Sequence, residues 1–167
     1  EVLPPSQRRV PRRLEHDKID PAELAWMAGF FDGEGSVCIL RTKATGTRRT
    51  PSYDLRVSIG NTSENALEIF SRNFGAKTHT VRKQIAVKPQ YRWHVCGERA
   101  AMVLRALLPF LKVKHEQAQL GLEYIAARTP VPRGAVLTTP EEIALRDEFY
   151  QKMLDLNDSH WGRKRRQ

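Results

Sequence analysis

The sequence predicts an α+β fold in which helices cover one face of an antiparallel sheet. Three observations lead there. Capping signatures that open helices recur along the chain, two regions alternate apolar and polar residues with period two, and a polar or Pro-containing break splits each of those regions into a hairpin. A chain of 167 residues with 40% apolar and 28% charged residues is the size of one domain and needs no metal or disulfide staple to bury a core.

The elements follow in order. Asp20-Pro21-Ala22-Glu23 combines an Asp N-cap, Pro at the first helical position and a Glu placed to cap back. The helix it opens is predicted to stop at about Phe31, before the glycine-rich Asp32-Gly33-Glu34-Gly35. Ser36 to Thr42 alternates and is rich in β-formers; a polar loop with Gly46 and Pro51 follows. Tyr53 to Gly60 then puts Leu55, Val57 and Ile59 on one face and Asp54, Arg56 and Ser58 on the other. Ser63 caps a second helix over 64–73, with Gly75 as its stop. Residues 77–87 and 90–96 form a second hairpin around Lys88-Pro89. A third helix covers 98–109, and Lys114 opens a fourth that runs to Ala127. Beyond a loop with Pro130, Pro132 and Gly134, Thr139-Pro140-Glu141-Glu142 repeats the capping signature and launches a last helix to about Leu156. The order is α-β-β-α-β-β-α-α-α. Residues 19–162 form one domain between a basic arm (1–18) and a basic tail (163–167).

Charge is unevenly spread. The net charge is +9, and segments 36–60 and 75–97 together carry ten bases and one acid, whereas the rest of 19–162 is net acidic. Both basic segments are the predicted hairpins, so the sheet face not covered by helices is the basic one. A polyanionic partner suits such a face. Two cysteines, Cys38 and Cys96, both in apolar runs, exclude a disulfide scaffold and suit a reducing compartment. No apolar stretch approaches 18 residues and the first residues are polar and Arg-rich, which argues against a membrane span or secretory signal and for an intracellular protein, without distinguishing cytoplasm, nucleoid or organelle.

Leu24-Ala25-Trp26-Met27-Ala28-Gly29-Phe30-Phe31 is apolar nearly all round, which predicts burial on every side. Ala25 and Gly29, small and four apart, permit close approach by another helix. Two carboxylates follow at the helix's C-terminal end, where the dipole disfavours them unless a cation compensates. A divalent metal is a natural compensator. A carboxylate beside a helix-terminal carbonyl suits Mg²⁺, and the flanking glycines allow the turn that aligns them.

Met27-Ala28-Gly29-Phe30-Phe31-Asp32-Gly33-Glu34-Gly35 resembles the LAGLIDADG motif of homing endonucleases, and the helix–hairpin–helix–hairpin order is similar to that family's fold. Pro109-Phe110-Leu111-Lys112-Val113-Lys114 resembles the segment that brings the family's active-site lysine, and Leu156-Asn157-Asp158-Ser159 the run before a C-terminal DNA-contacting loop. The resemblance spans about residues 20–163. It implies an αββαββα core with a saddle-shaped antiparallel sheet and C-terminal helices. One motif copy implies a homodimer with Ala25, Ala28, Gly29 and Asp32 at the seam. It implies site-specific cleavage of double-stranded DNA, in line and metal-assisted. Glu34 would bind Mg²⁺ (with Mn²⁺ or Ca²⁺ as substitutes), the carbonyl of Gly33 would be a second ligand, and Lys114 would be the basic catalytic residue. The polar water-positioning residue falls on Ser63 or Asn61. Glu34 stands where the family often has Asp, one methylene shorter. An intron RNA maturase, with RNA as partner, and an inactive DNA-binding protein of the same fold are the alternatives.

A two-stranded ribbon fits the major groove. The predicted DNA-facing residues of the first hairpin are Ser36, Cys38, Leu40, Thr42, Asp54, Arg56 and Ser58, with Arg41, Lys43, Arg48 and Arg49 near its tip. Those of the second are Thr80, Arg82, Lys83, Gln90, Arg92 and His94. In the C-terminal segment, Ser159, His160 and Arg163 are expected to touch the DNA backbone.

Overall fold

A computed structural model of the chain describes residues 19–44, 50–81, 89–130 and 139–160. Helix α1 (Pro21–Glu34) opens as the sequence predicts: the Asp20 carboxylate accepts from the N–H of Ala22 at 2.7 Å, and Pro21 needs no partner for a missing N–H. Glu23 does not cap back. It pairs instead with Arg72 of α2 (Glu64–Phe74) at 2.6 Å.

Two expectations for α1 are corrected. The helix does not stop at Phe31 but continues through Asp32, Gly33 and Glu34, with Gly35 as its cap donating to the Phe31 carbonyl. Strand β1 (Gly35–Thr42) begins at that same glycine, so no loop intervenes. A Cβ on Gly35 would stand 2.2 Å from the Phe31 ring, so the direct passage from helix to strand requires glycine here. The helix is also not buried on every side. Met27, Ala28 and Phe31 are fully buried, but Ala22, Ala25, Trp26, Gly29 and Gly33 form an exposed stripe. Trp26, 45% exposed, stacks on Phe30 at 5.3 Å.

Strands β1, β2 (Ser52–Asn61), β3 (His79–Val81) and β4 (Gln90–Cys96) form one antiparallel sheet in the order β1-β2-β4-β3. Gly35 pairs with Ile59 and Thr42 with Ser52, and Arg56 pairs with both Cys38 and Cys96. The alternation fixes the two faces. Val37, Ile39, Leu55, Val57, Ile59, Trp93 and Val95 are buried under the helices, and Tyr53 joins them. Trp93 is core, as its packing predicts, and its indole N–H donates to the Gly75 carbonyl at 2.9 Å.

Ser63 caps α2 through Ala66, and Gly75, at φ +72°, ends it. Helix α3 (Glu98–Leu107) tightens into a 3₁₀ turn at Leu108–Phe110, where Pro109 cannot supply the next helical N–H. Helices α4 (His115–Ala127) and α5 (Pro140–His160) close the covered face, and α5 runs past its expected end at Leu156. The Tyr53 hydroxyl donates to Asp147 of α5 at 2.8 Å, and Asn157 donates to the Val37 carbonyl at 3.1 Å. No described helix is long and apolar enough to cross a membrane.

One ionic group sits inside this interface. Arg146, 7% exposed, donates to Glu142 at 2.7 Å and to the Thr129 carbonyl at 2.8 Å, while Glu142 accepts from the Thr129 N–H. Burial alone would raise the Glu142 pKa, but Arg146 and Thr129 hold it below the ordinary glutamate value. Arg146→Leu would strand that carboxylate, and we expect a loss of about 3 kcal/mol in denaturant unfolding; a loss below about 1 kcal/mol would show that water or another group replaces the guanidinium.

Candidate functional site

The last turn of α1 presents two carboxylates with different fates. Asp32 turns into its own chain. Its Oδ2 accepts the N–H groups of Lys112 at 2.7 Å and Val113 at 3.1 Å, and its Oδ1 accepts that of Lys114 at 2.9 Å. Lys114 is the N-cap of α4 and its own side chain makes no capping bond; Asp32 takes the N-cap N–H and the two N–H groups before it, which anchors the segment leading into α4. The carboxylate at the C-terminal end of α1 is thus compensated by the N–H groups of the segment that leads into α4 and by the Lys114 charge.

The Lys114 side chain folds back, and its amino group donates to the main-chain carbonyl of Asp32. Lys114 is 8% exposed. Burial pushes its pKa down from the ordinary lysine value, and the charges of Asp32 and Glu34 oppose the shift without cancelling it. Burial would likewise raise the Asp32 pKa, but the three backbone N–H groups and the Lys114 charge take it below the usual aspartate value. Glu34 and Gly33 stay exposed on the following residues of the helix. One buried cation therefore stands within electrostatic reach of one exposed carboxylate.

Asn61 ends β2 at the sheet edge where β1 begins, since Gly35 pairs with Ile59. Its side-chain oxygen accepts the Ser63 N–H at 2.8 Å, and the Ser63 hydroxyl accepts the Ala66 N–H at 3.4 Å. Both predicted water-positioning residues lie at the end of the sheet that carries Glu34, and both make local structural bonds.

The uncovered sheet face presents Ser36, Cys38, Leu40 and Thr42 of β1, Asp54, Arg56 and Ser58 of β2, and Gln90, Arg92 and His94 of β4. Lys43 follows β1 and is exposed. Register places Cys38, Arg56 and Cys96 in one row, and Ser36, Ser58 and His94 in the next. The Ser36 and Ser58 hydroxyls bond each other at 2.8 Å. Burial raises the Asp54 pKa against the opposing charges of Arg128 and Arg56.

Three predicted residues fall elsewhere. Arg41 shares the parity of Val37 and Ile39, so it points to the helix side, where its guanidinium lies 5.9 Å from the Tyr53 ring, 5.8 Å from the Tyr150 ring and 3.5 Å from Asp147. Thr80 pairs with the core-side residue Tyr91, so the open face of β3 carries His79 and Val81 instead. Counting back from Arg92 across the hairpin would have found His79; the break at Lys88-Pro89 hid the register. Ala28 lies fully buried in the chain's own core, so it is no part of the exposed α1 stripe. Arg48, Arg49, Arg82, Lys83 and Arg163, the basic arm and the basic tail lie outside the described residues, as do the side chains of Ser159 and His160 at the end of α5.

No protein-family model matches the chain, and no curated protein matches its sequence. Solved structures do match its fold. The homing endonuclease I-CvuI, in complex with its target in the presence of Ca, is 21% identical over 87% of this chain and 86% of its own, with a TM-score of 0.63. The archaeal intron-encoded homing endonuclease I-Vdi141I, complexed with DNA, is 16% identical over 87% and 86%, with a TM-score of 0.57. The chain has the LAGLIDADG homing-endonuclease fold.

Asp32→Asn should cost about 2 kcal/mol in denaturant unfolding, because the single carbonyl oxygen of Asn can keep at most two of the three bonds, as neutral ones, and its NH₂ cannot accept the third N–H. The wild-type contribution is full above the ordinary aspartate pKa and is lost as pH falls through the lower folded value. The variant's stability should therefore fall less on acidification; equal acid sensitivity would show that Asp32 is not the titrating anchor.

Proposed function

We propose that this chain is a site-specific DNA endonuclease that acts as a homodimer on a long, pseudo-palindromic site and depends on a divalent metal. The carrying observation is the clamp at the end of α1: Asp32 fixes Lys112–Lys114, and thereby sets a buried lysine beside the exposed Glu34. The neighbours of like fold include one complexed with its target with Ca and one complexed with DNA, which agrees with a DNA substrate.

Among the described residues no three His, Cys, Asp or Glu side chains gather to hold a metal. A single carboxylate fits Mg²⁺ better than an ion needing a full protein cage, because Mg²⁺ keeps several waters and takes other ligands from phosphate oxygens. Glu34 would hold it with the Gly33 carbonyl, and Mn²⁺ or Ca²⁺ could occupy the same oxygens. When bound, the ion would supply an activated water and charge stabilisation at the scissile phosphate. Lys114 would add positive charge where the phosphate becomes more negative, from a dry position that strengthens its field. Asn61 or Ser63 would orient water at the same end of the sheet. Ser36, Cys38, Leu40, Thr42, Lys43, Asp54, Arg56, Ser58, Gln90, Arg92 and His94 would face the DNA.

The exposed stripe on α1 supports the dimer. A Cβ at Gly29 or Gly33 would meet, among the described residues, no atom outside its own helical turn within 4 Å, so close approach there is available to a second copy, with Trp26 beside it. Two such helices would bring both Glu34 carboxylates near one axis, one for each strand.

Purified protein with Mg²⁺ and a randomised duplex library should yield double-strand breaks at one recurring sequence, lost in Glu34→Gln and reduced at least about a hundredfold in Lys114→Met. Selective binding with no cutting by the wild type would instead favour an inactive DNA-binding protein. RNA splicing assisted only in its presence would favour a maturase. Gly29→Leu adds a side chain where its own chain leaves open space, so sedimentation should show a folded monomer; an unchanged dimer would refute the α1 seam.

A further inference from the structure

His79 was absent from the expected DNA-facing set, yet β3 sets it on the open face opposite Arg92. His94 lies two residues beyond Arg92 on the same face of β4, so the two imidazoles meet diagonally across the strands, with ring centroids 5.8 Å apart and planes at 41°. His79 is exposed and His94 half-buried.

The charges around the pair are of one sign. From β4, Arg92 acts on His94; from β2, Arg56 does, while Ser58 and Gly60 are neutral neighbours. From β3, His79 itself does. Lys77, before β3, lines a groove with Glu64 and Glu68 of α2. Among the described strand positions of the open face, Asp54 is the only carboxylate, and it lies towards the other end of β2, beside Arg128 and Gly97. Glu34, at the end of α1, shares this end of the sheet, but no carboxylate is among the groups that act on His94. Burial and the cations Arg56, His79 and Arg92 lower the His94 pKa, which favours its neutral form in the free protein at neutral pH.

We propose that His79 and His94 together form a phosphate contact of the DNA-binding face that takes up a proton from solvent when DNA binds. The inference rests on the DNA-binding reading above and adds to it a contact residue, His79, and a coupling to pH. A backbone phosphate supplies the negative charge that the protein withholds from this pair, so the protonated form binds better and the bound complex holds more protons than its parts. Arg92 neighbours both imidazoles, opposite His79 and two residues from His94, and would share the phosphate.

The test is DNA binding by fluorescence anisotropy with a mixed-sequence duplex, EDTA present to prevent cutting, at constant ionic strength. Wild-type affinity should tighten about tenfold as pH falls from about 7.5 to about 5.5. In the double variant His79→Gln/His94→Gln most of that tightening should vanish. At the lower pH the slope of log affinity against log salt should be steeper for wild type by about one ion, the signature of a phosphate rather than a base contact. Each single variant should lose part of the pH response, and thermal melts should show all of them folded, since neither side chain is core. An unchanged pH response in the double variant overturns the proposal, as does an equal salt slope. Failure of the wild type to bind duplex at any pH overturns the DNA-binding reading instead.

Discussion

The junction of α1 with the segment before α4 depends on one carboxylate. Asp32 accepts three successive backbone N–H groups from a segment 80 residues or more away in the chain, and in doing so ties the end of α1 to the N-cap of α4. The same contact fixes the backbone of Lys114, whose amino group completes the clamp on the Asp32 carbonyl. The two acids of the motif thereby divide the labour: one is consumed in building the site, and its neighbour two residues on remains at the surface.

The sheet divides labour in a similar way. Period-two alternation sends Leu55, Val57 and Ile59 into a core closed by five helices and leaves Arg56 and Ser58 on the open side. Because β2 is paired on both edges, its open-face residues sit at the centre of the sheet, with Cys38 and Ser36 on one flank and Cys96 and His94 on the other. Arg56 is half-buried among them, its Nε buried without a hydrogen-bond partner among the described residues. The register also spaces Cys38 and Cys96 two strands apart, about 10 Å, beyond disulfide reach.

Most of this was legible in the residues because the signals were local. Asp20-Pro21, Ser63, Gly75 and Thr139-Pro140 each mark a helix end through a bond or a φ angle made within four residues. What was not legible depended on partners distant in sequence. Nothing near Asp32 announces that it binds the segment ahead of α4, so the sequence offers only a cation as the natural compensator for the two acids together. Arg41 was misplaced because a basic residue near a hairpin tip looks solvent-facing, whereas Tyr53, Tyr150 and Asp147 draw it to the helix side. The exposed stripe on α1 was invisible to a reading by hydrophobicity alone, since the composition of an apolar helix does not say which face its own chain leaves uncovered. Glu34 and Lys114 came from the motif and not from periodicity, and only their setting comes from the coordinates.

The loopless joint at Gly35 has a mechanical meaning. Helix and strand share a single hinge-free residue wedged against the Phe31 ring, so α1 and β1 behave as the two arms of a rigid elbow. No slack segment separates the outer stripe of α1 from the strand that borders the open sheet, so the direction of one is set by the other at a single residue.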